Sequence, residues 1–211
     1  MDMKKGAMFG LDARIALAIF GALSVISGAA LYSAIKDAKA TAFLNQLEEV
    51  SKAIDAYRLD VGKDVVVSGT LGGTSDLGVL VKDYHTDNGW KGPYISFEES
   101  SSSTILNDNK VYTAKGSSNR NIAGVSTISN GTSCPTTSSC DIYIVVEFTS
   151  AEGNVSEGVD LYYTLDAKID NSDGFKSGKI HAVQAGNNTT TPDPTASSFS
   201  IYYKAVPYVF R

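Results

Sequence analysis

Histidine is nearly absent from this sequence: His85 and His181 are the only two in 211 residues. Neither stands in an HExxH, GxSxG, Walker or dinucleotide-binding pattern, so the spacings that mark metalloproteases, serine hydrolases, NTPases and dehydrogenases are missing. No residue is assigned a catalytic role, and the chain reads as a non-enzyme. Clusters of Lys or Arg are missing too, and the formal net charge is −5. That removes the usual footprint for gripping a phosphate backbone, so direct nucleic-acid binding is not expected. Proline is scarce, with none between Asp12 and Gly62, and nothing in that stretch interrupts a helix. Cysteine occurs twice, Cys134 and Cys140, in the polar stretch TSCPTTSSC. The short spacing and Pro135 let the chain curl back, which permits a disulfide and implies a periplasmic or extracellular compartment. The alternative is a pair of unrelated buried thiols, which a polar loop disfavours.

Against these absences stands one long uncharged run. Residues 15–35 read IALAIFGALSVISGAALYSAI, 21 residues without a charge. At about 1.5 Å of rise per residue the run spans roughly 30 Å, the thickness of a hydrocarbon core. This predicts a transmembrane helix. A cleaved secretory signal would have an apolar region of about 7–15 residues followed by a peptidase site and a break, and here no break occurs. Lys4 and Lys5 precede the run. Positive charge is retained on the cytoplasmic side, which predicts a single-pass inner-membrane protein with its N-terminus in the cytoplasm and everything after Lys36 outside.

Beyond Ile35 the composition changes to KDAKATAFLNQLEEVSKAIDAYRLDVG, in which Leu47, Val50, Ile54, Tyr57 and Val61 recur at steps of three and four. That spacing builds one apolar stripe on a helix, with Glu48, Glu49, Lys52 and Asp55 on the wet side. Gly62 is a suitable stop. The expectation is one helix of about 50 residues, roughly 75 Å long, with Ser27 and Gly28 as the place where it would bend.

These residues resemble the N-termini of the type IV prepilins and of the pseudopilins of type II secretion systems. KKGA precedes MFGLDARIALAIFGAL, and the AIFG of residues 18–21 falls where the family often has a similar apolar run ending in Gly. The resemblance covers about the first 55 residues closely. It implies a leader, residues 1–7, removed by a prepilin peptidase between Ala7 and Met8. Asp12 is then the fifth mature residue, where the family carries an acid. Two departures stand: Ala7 replaces the usual Gly, and the acid is Asp rather than Glu. A cut after Gly6 would make Asp12 sixth. The resemblance further implies that Asp12 pairs with the new amine of a neighbouring subunit and sets the axial register of packed helices. An acid at the entrance to an apolar helix is costly unless something pairs it. The local alternatives are an intrachain pair with Arg14, itself long enough to snorkel to the headgroups, and an acid favoured by the helix dipole.

Residues 63–141 are rich in Gly, Ser, Thr and Asn and read as loop-dominated. Within them GWKGPYI, residues 89–95, is similar to W-x-G-P-Y segments of pseudopilin heads and reads as an aromatic cluster sealing the loop against the helix. Four later stretches have strand composition: residues 142–148, 159–165, 179–184 and 199–206, rich in β-branched and aromatic side chains between turn residues. The fold class is therefore α+β. A long N-terminal helix, residues 8–62, packs on an antiparallel meander of about four strands, and residues 63–211 form the extracytoplasmic head, as the resemblance also implies.

Between the second and third of these strands lies LDAKIDNSDGFKSGK, similar to the I-D-x-G connection of pseudopilins and minor pilins. Asp166, Asp170, Asn171 and Asp173 offer hard oxygen ligands of the kind calcium takes. EF-hand spacing is not met, because Ile169 stands where the first Asp belongs. The alternative is an Asp/Asn/Gly turn whose side chains cap their own backbone. No cofactor is required, and calcium is the only one suggested. The function expected is that of a structural subunit whose partners are further copies of itself in a homopolymeric helical filament, the membrane, the prepilin peptidase and an inner-membrane assembly machine. The rival readings are a type II secretion pseudopilin or minor pilin, and a membrane-tethered periplasmic binding or sensory module.

Overall fold

The computed structural model describes residues 6–65, 76–117, 141–149, 154–175, 178–184 and 194–207. The chain divides into two compact units, Met1–Lys39 and Ala40–Arg211. Helix α1, Gly6–Val61, runs through 56 residues. It stays α-helical through Ser27 and Gly28 and does not melt there. Gly62 ends the helix in the left-handed region at φ 74°, its N–H donating to the carbonyl of Arg58 at 2.8 Å, which is how glycine closes a helix C-terminus.

The second unit has a single main core. From α1 it takes Ala40, Phe43, Leu47, Val50, Ala53, Ile54 and Tyr57, all buried, at the three-and-four spacing of one helical face. The end of this helix is fixed by Arg58, which pairs with Asp64 and donates to the carbonyl of Pro207 at 2.6 Å.

The helix packs on an antiparallel sheet of β1 (Glu98–Ser101), β2 (Thr104–Asn107), β3 (Lys110–Ser117), β4 (Asp141–Thr149), β5 (Ile180–Gln184) and β6 (Ser198–Pro207), in the order β1-β2-β3-β4-β6-β5. The α+β class holds, and the sheet has six strands among the described residues rather than about four. The first three come from the region expected to be loop. They are short and polar, and their strongest signal was the turn at Asp108 and Asn109, both at positive φ, as a two-residue hairpin turn demands. Nor is the sheet a simple meander, because β6 inserts between β4 and β5.

The stretch at 159–165 is the clearest correction. It is not a strand but the middle of α2, Val155–Ile169. Its buried residues, Val155, Gly158, Val159, Leu161, Tyr162, Leu165 and Asp166, follow helical spacing over a longer window than the aromatic cluster alone, and tertiary burial overrides the β preference of Val and Tyr. On β4, Ile142, Ile144, Val146 and Phe148 join the main core. The alternate residues Tyr143 and Val145 join Tyr202 in a second cluster, as side chains on opposite faces of a strand must.

Candidate functional site

The first feature with functional content is the N-terminal unit. Among the described residues one helix is long and apolar enough to cross a membrane, and its most apolar window has no buried residue. Leu11, Ile15, Leu17, Ile19, Phe20, Leu23, Val25, Ile26, Leu31, Tyr32 and Ile35 are all exposed, by 47 to 73%. At about 100° per residue these positions cover every side of the helix, so the surface is an apolar sleeve rather than a stripe. Ser24, inside it, donates its hydroxyl to the carbonyl of Phe20 at 2.8 Å, which satisfies that polar group without water. At the far end the ammonium of Lys36 lies 4.8 Å over the ring of Tyr32, a tyrosine–lysine combination that suits a membrane interface.

Asp12 and Arg14 are both exposed residues of this helix. Two positions apart, they point in directions about 200° apart and do not face each other. As described, α1 starts at Gly6 and no acid stands in its first turn. Ala7 and Met8 are helical in backbone, but their side chains lie outside the described residues, as do Cys134 and Cys140 entirely.

In the second unit, residues 76–95 are held against α1 by aromatic and acidic side chains. The Trp90 indole donates to the carbonyl of Val79 at 2.8 Å, and the Trp90 ring meets Tyr94 edge-on at 5.9 Å. Tyr94 in turn meets Tyr57 of α1 at 5.8 Å and donates its hydroxyl to Asp60 at 3.2 Å. This is the aromatic seal expected of GWKGPYI. Asp87 accepts from the Tyr57 hydroxyl at 2.7 Å and from Lys63 at 2.8 Å. Burial would raise its pKa, but these donors and the Lys63 charge outweigh it and hold the carboxyl below its ordinary value.

The two histidines lie in different surroundings. His85 lies 3.3 Å from a carboxylate oxygen of Asp76. His181, in β5, is buried with its ring against Tyr143 and its Nε2 3.1 Å from the carbonyl of Gly178.

The acidic turn lies at the C-terminal end of α2. Ligand atoms of Asp166, Asp170 and Asp173 fall within 4.8 Å of one another. Asn171 and Ser172, at φ 55° and 60°, turn the chain between Asp170 and Asp173. The Asp170 carboxylate accepts the backbone N–H groups of Lys179 and Ile180, both at 2.7 Å. Asp166 is buried, and its carboxyl pKa is raised by desolvation, then by the charge of Asp173, with a hydrogen bond from the Gly174 N–H opposing. The expected acids thus converge, but on a helix end rather than a strand connection. The placement of Tyr162 one turn before Asp166 on the same buried face was not foreseen. The helical spacing of Val155, Val159 and Tyr162 would have revealed it.

No family model matches this chain, no curated protein matches it, and no solved structure matches it.

Proposed function

We propose that the chain is a structural subunit of a type IV pilus or a pilus-like filament. The apolar sleeve resides first in an inner membrane and then packs against the same segment of neighbouring copies. The observation that carries this reading is the complete exposure of that sleeve on a helix whose second half is built into a folded core. Apolar surface on this scale is a liability for a soluble monomer and calls for an apolar partner.

Asp12 favours assembly over simple anchoring. Lipid alone satisfies the apolar residues, but it offers nothing to a carboxylate at the start of the run. A neighbour's free amine, created at Met8 by a prepilin peptidase, satisfies the charge and fixes the register at once. The pilin-like character of the α+β unit, export of that unit across the membrane, and dependence on an inner-membrane assembly machine belong to the same proposal. The work is assembly rather than catalysis. The test is terminal-peptide mass spectrometry of filaments sheared from cells: the mature subunit starts at Met8, and an assembled form starting at Met1 would overturn the reading.

A further inference from the structure

We infer that Arg14 is a second assembly residue, whose guanidinium pairs with the Asp12 carboxylate of a neighbouring copy of the chain. The inference rests on the filament reading and names a contact that propagates the filament. Asp12 and Arg14 are the only charged residues between Lys5 and Lys36, and both are exposed on α1. At about 100° and 1.5 Å per residue they stand about 200° apart, with only about 3 Å of axial rise between them. One level of the sleeve thus carries an acid on one side and a cation on the other.

The helix itself offers neither charge a partner. Three and four positions from Arg14 stand Gly10, Leu11, Leu17 and Ala18, and around Asp12 stand Met8, Phe9, Ile15 and Ala16. None of these is charged, and they are the positions that face each residue on the same helix. Nor does Arg14 escape by losing a proton, because a guanidinium in a protein stays charged. In a bilayer it can reach the headgroup phosphates. Packing against further helices removes lipid from that side and that partner with it. A guanidinium matches a carboxylate with two parallel hydrogen bonds, and the carboxylate at the same level of a neighbouring copy is its Asp12. In parallel helices with axes about 8–10 Å apart the two side chains stand close to level. The two oxygens of that carboxylate accept the guanidinium alongside the amine of Met8.

The placement also sets the symmetry of the contact. With both charges on one side, two copies would satisfy each other face to face and assembly would stop at a pair. On opposite sides the contact is heterologous: the Asp12 side of one copy meets the Arg14 side of the next. The second copy's own Asp12 then remains open for a third, which is the kind of contact that builds an open filament.

The experiment compares subunit in membranes with subunit in sheared filaments, using the full chain. Arg14→Ala should enter membranes as the parent does, because residues 15–35 are unchanged. It should give roughly tenfold fewer filaments, because its loss strands a carboxylate. Arg14→Lys keeps the charge and should retain part of the yield. Arg14→Asp and Asp12→Arg should each fail alone. Co-expressed, they should form filaments that contain both chains, because each then meets the opposite charge in its neighbour, a rescue that a merely structural role for Arg14 would not produce. Parent-like filament yield from Arg14→Ala would overturn the pairing and leave the filament reading standing. Loss of Arg14→Ala from membranes, which would assign the arginine to a lipid phosphate, or co-expression no better than either variant alone, would overturn it too. A parent chain that forms no filaments would overturn both.

Discussion

Gly158 tests whether α2 is seated on the sheet as described. In an isolated helix Gly158→Ala would stabilise by about 1 kcal/mol, because glycine is the poorest helix former after proline. In this fold the new methyl would lie 2.6 Å from Cγ of Phe148 and 3.1 Å from its Cβ. Those atoms are close to the β4 backbone and do not swing aside easily. The ring itself is wedged edge-on against Phe43 of α1 at 6.3 Å. Forcing a methyl into such a contact costs about 1–3 kcal/mol, so the overlap wins, and the net effect is a destabilisation of about 1 kcal/mol. That corresponds to a fall of about 2–4 °C in melting temperature for a unit of this size. Chemical denaturation followed by Trp90, the sole tryptophan, measures it. Phe148→Leu in the same chain should remove most of the penalty and let the helical gain appear, which isolates the contact as a coupling energy. If Gly158→Ala stabilises the parent chain by the full helical increment, α2 does not rest on Phe148 and the packing is wrong.

Non-reducing peptide mapping of exported protein should find Cys134 linked to Cys140; two free thiols would refute the loop argument. His181 should make stability pH-dependent. Burial depresses its pKa, against the Gly178 carbonyl and the charges of Asp170 and Asp173 that raise it, so below about pH 6.5 the unfolded chain takes up the proton first and stability falls with pH. The slope from this one group is at most about 1.4 kcal/mol per pH unit, and the difference between parent and His181→Asn melting curves from pH 7 to 5 should show it. An identical pH dependence in the variant would mean that His181 is not held neutral. Trp90→Phe keeps the ring but loses the bond to Val79, and should cost about 1 kcal/mol, read from thermal melts; no loss would show the bond to be dispensable.

What the sequence disclosed follows from the length of each signal. The helix was legible because 21 uncharged residues followed by a three-and-four stripe leave few alternatives, and its end at Gly62 follows from glycine chemistry. β4, β5 and β6 were legible as runs of β-branched and aromatic residues. α2 was misread because Val159, Leu161, Tyr162 and Tyr163 satisfy strand composition locally, whereas its helical period shows only when Val155, Leu165 and Asp166 are included. The short polar strands β1 to β3 owe their existence to pairing along one edge of the sheet, and four-residue segments such as EESS hold no period to read. At the candidate sites, Asp166, Asp170 and Asp173 were found by composition. That Asp166 is buried beside Tyr162 depends on which face of α2 meets the sheet, which only the fold determines.

The central claim is that the apolar sleeve assembles copies of this chain and that Asp12 sets their register, and it is tested most directly by comparing subunit in membranes with subunit in sheared filaments for Asp12→Ala. Residues 15–35 suffice for spanning, so the variant should enter membranes as the parent does. Filament yield should collapse, because removing one partner of a poorly solvated ion pair strands the other at a cost of about 3–5 kcal/mol, repeated at every subunit contact. Asp12→Glu, which keeps the charge, should retain filaments. Normal filament yield from Asp12→Ala would contradict the account.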